Sequence, residues 1–286
     1  MRQQLALALE DRIDQLVRRK KPEEQKVIKK LDSLTKRKAI LVKVLGKGKI
    51  TTMERAKDQD HITYQIHLKY VIKQSDFMYI EEEIERRQAR FFKNKLVDDQ
   101  EIAIEYPKQA VNHPDFEEGS ERITFIYDRL KAVQYAEKWW DDYNPAYEKF
   151  EVDCTNFISQ CLHVGGAPMR GHPNRGKGWW YQNKNWSYSW SVANALKTHL
   201  GNSTIGLRAQ EMNDPRELKL GDVICYDFQG DGRFDHNTVV TGKDAAGEPL
   251  VNAHTYNSRM RYWAYEDSTA YTPNIQYKMY TIIDDS

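Results

Sequence analysis

Residues 153–166 read DCTNFISQCLHVGG, and the fold of the larger part of the chain turns on this stretch. Phe157, Ile158, Cys161 and Leu162 recur at helical spacing, and Gly165-Gly166 supply a stop, so the pattern predicts a short helix that opens at Cys154. Asp153 stands where a side chain caps such a helix. A cysteine in the first turn meets unpaired backbone N–H groups and the positive end of the helix dipole, both of which favour the thiolate. The thiolate is the nucleophilic form, and the same N–H groups are suited to the oxyanion that forms when it attacks a carbonyl. Cys154 is therefore the candidate nucleophile.

Upstream, YDRLKAVQYAEKWW (127–140) carries Leu130, Val133, Tyr135, Ala136 and Trp140 on one helical face, and the Asn-Pro of DDYNPAYEKF ends it. Downstream come an aromatic, Gly-rich loop (169–190) and a helix near 189–200. GDVICYDF (221–228), HNTVVTG (236–242) and PLVNAHTY (249–256) then read as successive strands separated by turn residues. A thiol nucleophile needs a general base, and histidine titrates near the required pH. His236 opens a strand directly after the turn GDGRFD, and His254 lies on the next strand, which a hairpin sets alongside. One serves as base, and the other position orients it. Cys161 and Cys225 read as core thiols, while His163, His172 and His199 receive no role. Asp227, Gln229 and Asp231-Gly232 have the opening spacing of a calcium loop, but position twelve is Thr238, so the segment reads as a polar turn and no metal is expected.

The segments YDRLKAVQYAEKWW, DCTNFISQCLHVGG, GWWYQNKNWSYSW, LGDVICYD, DHNTVVTG and NAHTYN together resemble the putative amidase domain family, over roughly residues 120–286. That family is similar to the NlpC-type peptidases and CHAP amidases of the papain-like superfamily. The resemblance implies an α+β fold in which a nucleophile-bearing helix packs on an antiparallel sheet, and hydrolysis of an amide, commonly in peptidoglycan. By motif, the nucleophile falls on Cys154 and the base on His236. The third, orienting position falls on LVNAHT, where Asn252 and His254 share a strand face; His254 is the favoured choice and Asn252 the alternative. Such enzymes also use an upstream tyrosine as oxyanion donor, here Tyr143 or Tyr147.

The 286 residues are 40% hydrophobic and 30% charged, enough for a packed core and too apolar for a disordered chain. The net charge of +1 gives no global pointer to nucleic acid, and no apolar run has the length of an integral membrane segment. The balance hides an asymmetry. Residues 1–108 hold 25 Lys/Arg against 18 Asp/Glu, whereas all seven Trp and all three Cys lie beyond them. The shift predicts two domains: 1–105, a small α+β domain of unknown role; 106–120, a linker rich in Pro and polar residues; and 121–286, the amidase-like domain. The N-terminal domain opens with an amphipathic helix, broken near Lys21-Pro22 and resumed to about Lys38. KAILVKVLG (38–46) and the alternating HITYQIHLKYVIKQ (61–74) read as strands; FMYIEEEIERRQARFF (77–92) is compatible with a strand running into a helix, and periodicity does not settle it. Its basic excess reads as a solvated surface, with a binding patch for wall polymers or partners the competing reading. No signal peptide is expected from MRQQLALALEDRIDQL, so the cytoplasm is the default location, with secretion or the cell wall open to a trimmed chain.

The reaction expected is thioester-forming amide hydrolysis by a cysteine amidase or peptidase, without a cofactor, on a peptide or peptidoglycan-fragment substrate. Transfer of the acyl group to another acceptor, or a non-catalytic binding module of the same fold, are the alternatives. Gln160 on the nucleophile helix, and Trp179, Trp180, Tyr181 and Trp190 in the aromatic loop, are candidates for the substrate cleft, with core packing the competing reading for the rings. The oligomeric state is left open.

Overall fold

The computed structural model describes residues 1–18, 22, 24–103 and 123–286; the expected linker lies outside these. The chain forms two units. The first comprises Met1–Ile104 with Asp244–Ala246 and Tyr256–Tyr271, and the second Glu105–Lys243, Gly247–Thr255 and Thr272–Ser286. Two short segments that the sequence reading assigned to the second domain thus pack into the first. In one of them the Ala245 N–H donates to Gln74 Oε1 at 3.0 Å.

The first unit begins with α1 (Arg2–Arg18) and α2 (Gln25–Lys36), followed by β1 (Ala39–Arg55), β2 (Gln59–Gln74), β3 (Phe77–Phe92) and β4 (Lys95–Glu101). The period-2 pattern of β2 buries Ile62, Tyr64, Ile66, Leu68, Tyr70 and Ile72 on the face that meets the helices. β1 does not stop at Gly46. The glycine permits close approach: a Cβ there would lie 3.0 Å from Ile13 Cδ1 of α1, so the strand passes beneath the helix and continues. The segment 77–92, which periodicity leaves open between strand and helix, is strand throughout, antiparallel to β2. Its odd-numbered residues share the helix-facing side with the apolar residues of β2, which places Glu81, Glu83 and Glu85 under α1 and α2. Carboxylates hide the alternation because their burial depends on cations from other elements. Glu85 pairs with Arg12 and Lys26, Glu83 with Lys26, and Glu81 with Lys30.

The second unit contributes α3 (Arg129–Trp139), α4 (Cys154–Val164), the two-residue strands β5 (Tyr181–Gln182) and β6 (Asn185–Trp186), α5 (Tyr188–Ser191), α6 (Ala193–Asn202), β7 (Ala209–Met212), β8 (Val223–Asp227), β9 (His236–Lys243) and β10 (Pro249–Ala253). β11 (Ser258–Tyr262) belongs to the first unit and pairs antiparallel with β3, and β12 (Gln276–Ile282) completes the second. Within the second unit the strand order is β10-β9-β8-β12-β7, antiparallel throughout. Phe157, Ile158, Cys161 and Leu162 of α4 join Val223, Cys225 and Val239 of the sheet in one core with Trp179, Trp190 and Leu196. Both units are helices on an antiparallel sheet, an α+β architecture. No described helix is long and apolar enough to cross a membrane.

Burial alone would raise the Glu85 carboxyl, but Lys26, Arg12 and Arg87 outweigh it and hold it well below the usual range. Burial is likewise outweighed at Asp267, which Arg261 and Lys30 hold low. A carboxyl lowered in the folded state contributes stability that is present above its unfolded pKa of about 4 and lost as pH falls through its folded value. We expect Glu85→Gln to cost about 3–5 kcal/mol, because it strands buried cations. It should also reduce the loss of stability below about pH 4. Urea unfolding across pH checks both, and a wild-type midpoint in the variant would show that the cluster contributes nothing.

Candidate active site

Cys154 is the first residue of α4 and is 1% exposed. The cap of this helix comes from elsewhere than expected. Asp153 makes no side-chain capping bond; the hydroxyl oxygen of Thr255, just past the end of β10, accepts from the N–H groups of Asp153 at 2.9 Å and Cys154 at 3.0 Å. Thr255 holds φ at +76°, a left-handed conformation unfavourable for a β-branched side chain, so the surrounding structure enforces it. Nothing in AHTYN announces that role. The Cys154 N–H, expected to face an oxyanion, is occupied by this cap.

The Cys154 sulfur lies 3.8 Å from Thr155 Oγ1 and 4.0 Å from the Asp235 carbonyl. Burial pushes the thiol above its ordinary range; the Asn237 N–H and the Thr155 and Thr255 hydroxyls pull the other way, and the Asp153 charge adds to the rise. Desolvation therefore outweighs these hydrogen bonds, in the direction opposite to the expected thiolate preference. Asp235 O and Asn237 N–H belong to the two residues on either side of His236, so the thiol sits against the backbone that bears the candidate base.

His236 is fully buried, its ring 5.7 Å from that of Tyr226 and 6.0 Å from that of Phe228. Its neighbour Asn237 points toward α4, where Nδ2 donates to Thr155 Oγ1 at 3.0 Å. Successive strand residues alternate faces, so the imidazole stands on the Tyr226 side of β9. Asp235, just before it, is pushed up to about 6 by burial. The preceding turn is closed by Asp227, whose carboxylate accepts from the N–H groups of Gly230 at 2.7 Å and Gly232 at 2.8 Å. These bonds bear the polar-turn reading of the segment.

His254 is built into α4 rather than directed at His236. Its Nδ1 meets Asp153 Oδ2 at 2.7 Å, its Nε2 meets the Trp139 carbonyl at 2.6 Å, and its ring stacks on Phe157 at 4.0 Å. A carbonyl only accepts, so Nε2 donates to Trp139, while Nδ1 faces the Asp153 carboxylate. Both ring nitrogens of His254 are thus engaged within the protein. The alternative third position, Asn252, is held between Thr241 and Glu137 of α3: Oδ1 accepts from the Thr241 hydroxyl at 2.7 Å and Nδ2 donates to Glu137 at 2.8 Å.

Residues 154–162 are buried without a break, so the polar groups of α4 bond inward. Gln160 accepts from the Tyr135 hydroxyl at 2.6 Å, Asn156 accepts from Trp190 Nε1 at 2.8 Å, and Ser159 accepts from Trp179 Nε1 at 3.0 Å. Gln160 is thus a core residue and not a cleft residue. Trp179, Trp180 and Trp190 are at most 1% exposed, which corrects their reading as a substrate wall. Aromatic density alone does not distinguish a wall from a core; the indole N–H groups bonded within the protein do. Tyr181 is half-buried, its hydroxyl accepting from the Glu148 N–H at 3.0 Å. Tyr147 packs between Tyr181 and Trp190, and Tyr143 lies 5.0 Å from the His254 ring.

The second unit presents a helix-borne cysteine packed on an antiparallel sheet, its thiol against the backbone on either side of a strand histidine. The model of the family described as "Putative amidase domain" matches residues 126–280, and the chain belongs to that family. It is 53% identical over 262 residues to "Uncharacterized protein YhbB" of Bacillus subtilis (strain 168), covering 88% of this chain and 84% of that protein. It is 31% identical over 140 residues to "Uncharacterized protein YjcM" of the same organism, covering 46% of this chain and 31% of that protein. No solved structure matches. The N-terminal region has no family match.

Thr255→Val keeps the shape but strands two buried N–H groups, at about 1–3 kcal/mol each, whereas Thr255→Ser keeps the acceptor and removes the β-branch. Chemical denaturation should show the first clearly destabilised and the second close to wild type. Equal stability of all three would mean that this hydroxyl does not hold α4.

Proposed function

We propose that the second unit is a cysteine amidase in which Cys154 is the nucleophile and His236 the general base. The reading rests on one observation: in a chain of the amidase family, the only cysteine at a described helix N-terminus lies against the backbone on either side of His236. The resting thiol is protonated, so His236 takes the proton as sulfur attacks rather than holding a preformed ion pair. Sulfur bonds to the carbonyl carbon, His236 passes the proton to the leaving amine as the C–N bond breaks, and a thioester remains. Water then adds, giving its proton to His236; the C–S bond breaks, the acid leaves, and the proton returns to sulfur. The papain-like relationship and a peptide or peptidoglycan-fragment substrate are part of this proposal. His254, by contrast, acts as a positioning residue that holds Asp153 and the start of α4. Burial of the thiol favours a second reading, a binding module of the same fold without turnover.

The test is hydrolysis of muropeptides together with Cys154 alkylation against pH, on wild type, Cys154→Ala and His236→Ala. We expect no hydrolysis by Cys154→Ala. Wild-type alkylation should rise at a pH above the usual thiol value of about 8.5, since burial raises the pKa, and should be slower in His236→Ala. Hydrolysis by Cys154→Ala at the wild-type rate would overturn the assignment. Absence of both turnover and thiol reactivity would favour the binding module.

A further inference from the structure

α1 and α2 cover one face of the first unit's sheet. The other face is formed by the opposite set of alternating residues on β1, β2 and β3, and it combines two chemistries. Its cations are Lys43, Lys47 and Lys49 on β1, Lys69 and Lys73 on β2, and Arg86 and Arg90 on β3. Against them stand Glu54, Glu82 and, opposite Arg90 on β4, Asp98, and Glu82 already pairs with Lys69 and Arg259. Among the cations stand Ile40, Leu45, Met78 and Ile80, each 43–56% exposed. The register sets Ile40 beside Lys73 and Met78, and Lys43 beside Val71 and Ile80, so these apolar groups adjoin one another at one end of the face.

Lysines on an edge strand discourage strand pairing, which accounts for part of β1. It does not account for Lys73, Arg86 and Arg90 on strands with neighbours on both sides, nor for aliphatic groups left in water beside them. A soluble polyanion would use the cations and gain nothing from Ile40, Met78 or Ile80. We propose that this face docks on the surface of an anionic lipid bilayer. The aliphatic side chains enter the headgroup–acyl boundary, while the Lys and Arg stems lie along it with their charges at the level of the phosphates. The proposal concerns the first unit alone and does not depend on the chemistry of Cys154.

The experiment is co-sedimentation of the full chain with vesicles of phosphatidylcholine containing one quarter phosphatidylglycerol, against phosphatidylcholine alone. Binding should be about tenfold or more tighter to the anionic vesicles and should weaken as salt is raised. Lys47→Glu/Arg86→Glu and Leu45→Ser/Ile80→Ser should each lower it by about tenfold, with unchanged thermal melting. Equal binding to both vesicles, or wild-type binding by both double variants, would overturn the proposal. So would heparin binding of equal strength together with an apolar variant that behaves as wild type, since that outcome identifies a purely electrostatic polyanion surface.

Discussion

Two backbone N–H groups at the start of α4, those of Asp153 and Cys154, converge on one hydroxyl oxygen, and the centre of the second unit is organised around that convergence. Thr255 supplies the oxygen from just beyond β10, and only a strained backbone brings it there. The adjoining pair of His254 and Asp153 adds a second tie between the same two segments. With the helix start fixed to the sheet, the Cys154 sulfur lies 4.0 Å from the Asp235 carbonyl, next to the backbone around His236. Helix capping and the placement of Cys154 are thus one arrangement.

That arrangement comes with desolvation. Sulfur among buried groups is held as a thiol, and the hydrogen bonds it receives do not reverse the effect. The burial of the tryptophans has a different consequence. The N–H groups of Trp179 and Trp190 are tied to Ser159 and Asn156, which joins the aromatic loop to α4 at two places along the helix.

The two units bury their helices by different means. In the second, apolar α4 side chains meet apolar strand residues, an association that depends little on pH or salt. In the first, α1 and α2 reach a row of carboxylates on β3 with Arg12, Lys26 and Lys30. Buried ion pairs of this kind contribute little net stability when intact, yet breaking one is costly. They select a particular seating of the helices on the sheet.

Much of the second unit was legible in the sequence. The stripe in DCTNFISQCLHVGG, the Gly-Gly stop and the β-branched runs 221–228, 236–242 and 249–256 are local signals, and the elements they predict are present near the expected bounds. Placement of Cys154 at a helix start follows from that pattern alone. FMYIEEEIERRQARFF was ambiguous because its alternation is carried by charges, whose burial depends on partners many residues away. The partner of His254, the cap from Thr255, the inward bonds of Gln160 and the tryptophans, and the elevated thiol are not local properties. Each follows from which groups the packed chain brings within about 3–4 Å and shields from water. Sequence periodicity determined the elements and their faces; tertiary packing decided which polar group met which.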